Sequence, residues 1–278
     1  MKRDDYYMDP EVAHRYDEEA GVVGRRGDEE FYLGLALESA KAGHPVMELG
    51  VGAGGVAIAI AKAGVIVTGL ERSPAMLEIA RRKSVGLENL TLVEGDMADF
   101  ALPGHFGLIY IPARGFLHLI TPEDQRACLR CVWNHLVPGG RLALSFFNPD
   151  PAIMAGTISG LRNMERLRDM RDSLGYTIKR WSSARFETAT QQVDDTRIEQ
   201  RVDDQGVVLS TVYRQFRIRY IFRYEMQYLL ELSGFEVEAL YSGFNREPFR
   251  NSSAEMVWVA RKPEYGSSEF HLTDGGSS

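Results

Sequence analysis

Apolar residues fall in short bursts that alternate between two spacings. Val46-Met-Glu-Leu49 runs into glycines, and Val56 to Ala63 follows as an Ala/Ile-rich segment. This pattern predicts a buried strand, a tight turn and a helix. The motif repeats with variations. Gly64-Val-Ile-Val-Thr-Gly-Leu-Glu71 reads as a second strand, followed by Ser73 as N-cap, Pro74 as first helical residue and a helix over Ala75 to Lys83. Asn89 to Asp96 is a third strand and Gly107 to Pro112 a fourth. Thr121-Pro-Glu-Asp124 opens a helix that Leu136-Val-Pro-Gly-Gly140 closes, and Arg141 to Phe147 is a fifth strand. Ahead of all these, Asp28 is placed to cap an amphipathic helix running to about Ala42, with Gly43 ending it.

The alternation then breaks. Residues 148–222 suggest a helix from about Ile153 to Asp172 and then strand-like segments turning at Asp203-Asp-Gln-Gly206. Val212, Phe216, Ile218 and Tyr220 share one face of the last of these, and Gln215, Arg217 and Arg219 share the other. A helix over Arg223 to Ser233 and strands at Phe235–Tyr241 and Glu255–Ala260 complete the pattern. The fold expected is α/β, a Rossmann-like seven-stranded mostly parallel sheet with helices on both faces, plus an antiparallel β insertion. The main domain spans 1–147 and 223–262, with a lid segment at 1–27. The insertion is 148–222, and the Gly/Ser-rich tail, 263–278, is expected to be disordered.

The chain has 278 residues, 44% hydrophobic and 26% charged, as in ordinary globular proteins. No apolar run reaches the ~20 residues of a membrane span, and Met1 to Tyr7 lacks an apolar signal segment, so a cytoplasmic location is expected. A net charge of −7 argues against general nucleic-acid affinity. Within 151–222, twelve Lys and Arg stand against nine Asp and Glu, a net +3 that leaves −10 elsewhere. This imbalance suits either a solvated surface or a substrate bearing phosphate or carboxylate. Cys128 and Cys131 are the only cysteines. Two thiols inside a helix make neither a four-ligand zinc site nor a redox pair at a helix start, so they read as packing residues and no metal is expected.

The glycine turn carries the candidate chemistry. Gly50, Gly52 and Gly55 satisfy the dinucleotide fingerprint G-x-G-x-x-G. Glu48, Gly50, Gly52 and Gly54 equally make acidic-x-G-x-G-x-G, which resembles the first motif of the class I S-adenosylmethionine (SAM)-dependent methyltransferases. A dinucleotide site gains nothing from a carboxylate in its buried first strand, whereas the methionine end of SAM carries an ammonium. Glu71 ends the second strand 19 residues after Gly52, near the ~20 expected for a ribose-binding acid. Gly95-Asp96-Met97 resembles the family's adenine-binding turn, and Pro-Gly-Gly before the fifth strand also resembles this family. Among its members, enzymes acting on small metabolites, amino-sugar N-methyltransferases included, are similar in the insertion and in the Phe-Leu-His-Leu loop.

The resemblance implies SAM as cofactor, held by Tyr16, Glu48, Gly50, Gly52, Glu71, Arg72, Asp96, Met97 and Pro112. Tyr16 and Asp17 are similar to a Tyr-Asp pair in a segment that folds over the donor. It implies methyl transfer to a nitrogen or oxygen of a small molecule; the charge and the lack of an apolar span lead to no nucleic-acid or membrane partner being expected, and a homodimer is the candidate assembly. His118 is the candidate base, or a brace for its loop. Arg114, Tyr213, Tyr220 and Arg223 are candidate substrate residues, with an ion pair to a surface acid the alternative for Arg114 and core packing for the tyrosines. The competing functions are C-methylation, a non-catalytic SAM-binding protein and a dinucleotide oxidoreductase.

Overall fold

The computed structural model describes residues 6–23, 27–158, 164–172 and 174–264. Seven strands form the main sheet: β1 (Val46–Leu49), β2 (Val67–Glu71), β3 (Leu90–Glu94), β4 (Phe106–Ile111), β5 (Leu136–Phe147), β10 (Glu236–Tyr241) and β11 (Glu255–Arg261). Their order is β10-β11-β5-β4-β1-β2-β3. Pairings among β1 to β5 are parallel, and β11 runs antiparallel to both β5 and β10.

Helices cover both faces, which is why the central strands read as continuous apolar runs. On one face Met47, Leu49, Ile109 and Ile111 pack with α5 (Pro122–His135) and α7 (Arg223–Leu232). On the other, Val46, Leu108 and Tyr110 pack with α2 (Asp28–Lys41) and α3 (Gly55–Lys62). α4 (Pro74–Lys83) is capped by Ser73, whose hydroxyl accepts the Met76 N–H at 3.2 Å. Thr121 caps α5 in the same way through Asp124. α2 is one residue off expectation. Its N-cap is Gly27, with φ +82°, and Asp28 is the first helical residue, its carboxylate accepting the Glu29 N–H. Cys128 and Cys131 both lie within α5 and form no disulfide.

The insertion departs from expectation at its start. In place of one long helix over 153–172 there is a short α6 (Pro151–Ile158) and a strand, β6 (Glu165–Arg171). β6 joins β7 (Thr177–Glu187), β8 (Gln192–Val202) and β9 (Val208–Arg219) in an antiparallel sheet ordered β6-β7-β8-β9. Asp203-Asp-Gln-Gly206 turns β8 into β9 as read, with Gly206 at φ +85°. β5 begins at Leu136, five residues before the expected Arg141. Of the proposed disordered tail, residues 265–278 lie outside the described residues.

Ahead of the sheet, a 3₁₀ turn (Tyr6–Met8) and α1 (Pro10–Val23) lie against α4. Ser73 Oγ donates to the Tyr7 carbonyl at 2.6 Å, and Lys83 Nζ reaches Asp17 at 2.5 Å. Arg15 links α1 to the inserted sheet through Glu199 at 2.8 Å. Among the described residues no helix is long and apolar enough to cross a membrane.

Candidate active site

The parallel strands end on one edge, and their loops enclose a cavity there, the position where open α/β sheets bind ligands. Gly50, Gly52 and Gly54 all adopt positive φ, at +71°, +54° and +83°, whereas Gly55 is the first residue of α3. The backbone thus uses the glycines as G-x-G-x-G rather than as the dinucleotide spacing. At Gly54 a Cβ would come within 2.8 Å of Ile58 Cδ1 and 3.2 Å of Ala80 Cβ. At Gly50 it would approach Met97 Cε to 3.3 Å, on the cavity wall.

Glu71 holds these loops together. Its Oε2 accepts the Gly52 N–H at 2.8 Å and its Oε1 accepts the Ser73 N–H at 2.9 Å. Burial raises its pKa, against the lowering effect of those backbone donors. Asp96 accepts the Ala98 N–H at 2.9 Å, which closes the third loop. At the end of β4 the chain turns through Ala113 and Arg114, both non-glycine residues at positive φ, +51° and +67°. Such conformations store strain and cluster at functional sites.

Nine of the ten residues expected around the cofactor or its reacting end line this cavity: Tyr16, Gly50, Gly52, Glu71, Arg72, Asp96, Met97, Pro112 and His118. Glu48 does not. Side chains alternate along β1, so Glu48 points with Val46 toward α2, and the cavity opens only past Leu49. It is 2% exposed and neighbours Tyr110. Burial, then the Glu48 charge, push the Tyr110 phenol well above its usual range. Tyr7 and Met8 also line the cavity. A tyrosine pair in a polar stretch is the one sequence signal for Tyr7.

A second cavity adjoins the first, between α1, the end of β4 and the inserted sheet. Tyr7, Tyr16, Ala113 and His118 line both. The rings interlock: Tyr7 meets Tyr16 edge-on at 5.5 Å and His118 at 5.3 Å. Burial, followed by the Arg72 charge, lowers the His118 pKa to about 4. The imidazole is therefore neutral at pH 7.

The inserted sheet supplies the far wall with Phe186 from β7, Val193, Asp195, Arg197 and Glu199 from β8, and Arg214, Phe216 and Ile218 from β9. Of these, Phe216 and Ile218 belong to the β9 face read from the sequence, and Arg214 shares that face by the same alternation. The charged residues escape sequence reasoning, although the spacing Asp195-x-Arg197-x-Glu199 is a period-two signal. Burial raises the Asp195 pKa, opposed by Arg197 and the Ser182 hydroxyl. Of the expected substrate residues, only Arg114 lines the cavity. It pairs with Glu255 at 3.0 Å and lies over the Phe147 ring. Tyr213, Tyr220 and Arg223 line neither cavity. Tyr213 sits at an odd position of β9, opposite in face to Phe216, and is 60% exposed. Tyr220 is packed with Met154 and Val193, and Arg223 stacks on Tyr224 and Phe249. Among the described residues no His, Cys, Asp and Glu cluster suits a metal.

Residues 46–140 match the family described as a methyltransferase domain, a span from β1 to the start of β5. A cypemycin N-terminal methyltransferase of Streptomyces sp. is 26% identical over 224 residues, 79% of this chain and 84% of that protein. An uncharacterised methyltransferase of Synechocystis sp. is 30% identical over 170 residues, covering 55% of this chain and 77% of the relative. The solved CcbJ methyltransferase from Streptomyces caelestis superposes with a TM-score of 0.78 at 25% identity, covering 94% of this chain and 99% of that one. Together with the G-x-G-x-G backbone, the carboxylate closing β2 and the antiparallel β11, these matches make the chain a member of the S-adenosylmethionine-dependent methyltransferases.

Proposed function

We propose that the protein methylates a nitrogen or oxygen of a small molecule held in the second cavity, with an amine nitrogen the favoured acceptor. One observation carries this reading: the donor cavity and the second cavity share a wall made of Tyr7, Tyr16, Ala113 and His118. An acceptor in the second cavity reaches the donor only across that wall. α1, tied to the inserted sheet by Arg15 and Glu199, contributes Val12, Arg15 and Tyr16 to the second cavity's wall. The nitrogen is favoured by likeness to a relative that carries N-terminal methylation in its name.

The donor cavity fits SAM by its chemistry. The positive-φ glycines keep side chains off one wall, Met97 offers a soft apolar surface, and Glu71 and Asp96 offer carboxylates to hydroxyl and amine groups. Gly50, Gly52, Glu71, Arg72, Asp96, Met97 and Pro112 would hold it, with Tyr16 and Tyr7 covering it. When bound, SAM supplies an electrophilic methyl group on a sulfonium. The rest of the work is positioning and exclusion of water. The neutral His118 accepts a hydrogen bond from the acceptor's N–H or O–H and aims its lone pair across the shared wall. A neutral amine needs no proton removed before attack; a hydroxyl gains from one.

Isothermal titration with SAM, S-adenosylhomocysteine (SAH) and NAD is the first test, with binding of the first two expected. SAM-dependent SAH release is then measured over a panel of amines and alcohols. Binding of NAD with no heat from SAM would overturn the reading.

A further inference from the structure

On the cavity face of the inserted sheet, β7, β8 and β9 set residues opposite one another in rungs. Ala184, Asp195 and Phe216 form one rung, and Ser182, Arg197 and Arg214 form the next outward. The Phe216 ring lies 6.5 Å from that of His118, so the inner rung adjoins the shared wall. The outer rung sets two arginines directly opposite each other. Like charges so placed repel, and an anion between them relieves the repulsion.

The acids around the pair are shared with other cations. Glu199, 7% exposed, gives its short contact to Arg15 at 2.8 Å. Arg180, opposite Glu199, donates to the Arg168 carbonyl at 3.2 Å. Glu11 lies 3.1 Å from Arg15 and 3.5 Å from Arg214. Asp195 stands 3.5 Å from Arg197 Nε. Arg214 is itself 9% exposed, beside the Tyr6 phenol, and Arg197 lies over the Phe216 ring at 5.2 Å.

We propose that Arg197 and Arg214 form an anion subsite and that the acceptor carries a carboxylate or phosphate there. This rests on the methyl-transfer reading above and adds the substrate class. One rung is two residues along a strand, so the anionic group sits on the order of 7 Å beyond the inner rung. The acceptor is thus an amine with an acidic group several bonds away, and the two arginines fix its register on the shared wall.

The test uses SAH-saturated protein and NMR-detected titration with 6-aminohexanoate, 5-aminopentyl phosphate and hexylamine. Both anionic probes are expected to bind at least tenfold more tightly than hexylamine, and the tighter of the two identifies the acid. Arg197→Gln and Arg214→Gln should each remove most of that preference with SAH affinity kept, which also reports that the variants fold. Arg214→Lys should retain part of it. Equal binding of hexylamine, no binding of any probe, or a preference that survives both Gln variants overturns the proposal. Failure of the unmodified protein to bind SAH overturns the methyl-transfer reading instead.

Discussion

Glu71 and Gly52 are joined on the wall of the first cavity by a single 2.8 Å hydrogen bond from backbone to carboxylate, while the other carboxylate oxygen takes the Ser73 N–H. One side chain therefore fixes both the glycine turn and the start of α4. Glu71→Gln leaves one acceptor oxygen and turns an NH₂ toward the other N–H. SAM affinity should fall at least tenfold by calorimetry. Because burial raises the Glu71 pKa, protonation sets in above the ordinary glutamate value of ~4.3. The affinity of the unmodified protein should accordingly begin to decline on acidification before a pH of about 4.3 is reached.

The glycine turn makes a second, sharper prediction. Gly54 has φ +83° and would drive a Cβ into Ile58 and Ala80, whereas Gly55 is helical. Gly54→Ala should destabilise the protein by about 1–3 kcal/mol in urea unfolding. Gly55→Ala should be neutral or stabilise by up to ~1 kcal/mol, as expected for a helical glycine. A dinucleotide-type turn would reverse that order.

What the sequence disclosed and what it hid follow one physical division. The donor side was legible because its strands are buried on both faces and its polar residues stand at strand ends, where burial selects for chemistry. Glu71, Asp96 and Met97 line the cavity for this reason. Glu48 does not line the cavity, since alternation along β1 sends its side chain toward Tyr110. The insertion was read poorly at β6, where Met164, Leu167 and Met170 recur every three residues as on a helix. Non-local pairing with β7 overrides that spacing, and only Met170 of the three is buried. The charged rungs were illegible because Asp195, Arg197 and Glu199 look like a solvated strand face. Only α1, packed over them through Arg15, turns that face into a cavity wall.

His118 should reveal its burial in a pH series. Its folded pKa of about 4 lies below the unfolded value of ~6.5. Its contribution to stability is therefore full above a pH of about 6.5 and is lost as pH falls toward 4. Each pH unit between the folded and unfolded values is worth about 1.4 kcal/mol, so the contribution is at most on the order of 3 kcal/mol. His118→Gln should flatten the dependence of unfolding free energy on pH between about 6.5 and 4. An NMR titration of the imidazole carbons should show no midpoint near the ordinary ~6.5, and methyl transfer should show no inflection there from this residue.

The roof over both cavities depends on Arg15 and Glu199, whose side chains are 19% and 8% exposed and meet at 2.8 Å. Such a pair contributes little net stability compared with an apolar replacement, but breaking it from one side strands a charge. Arg15→Met leaves Glu199 opposite Arg180, which softens the loss, so about 1–3 kcal/mol is expected rather than the full penalty of ~3–5 kcal/mol. Glu199→Gln should cost less, since Glu11 still holds Arg15 at 3.1 Å. The double replacement should recover much of the Arg15→Met loss, and a double-mutant cycle in urea measures that coupling. The functional effect runs through the tyrosines. α1 carries Tyr16, which lines the first cavity, and Ser73 holds the backbone of Tyr7, which lines it too. In Arg15→Met, the amides of Pro10–Val23 should exchange faster with deuterium and SAM should bind more weakly, while exchange in β1 and β4 stays unchanged. Equal loss of protection in β1 and β4 would mean that the pair supports the whole fold and not the roof.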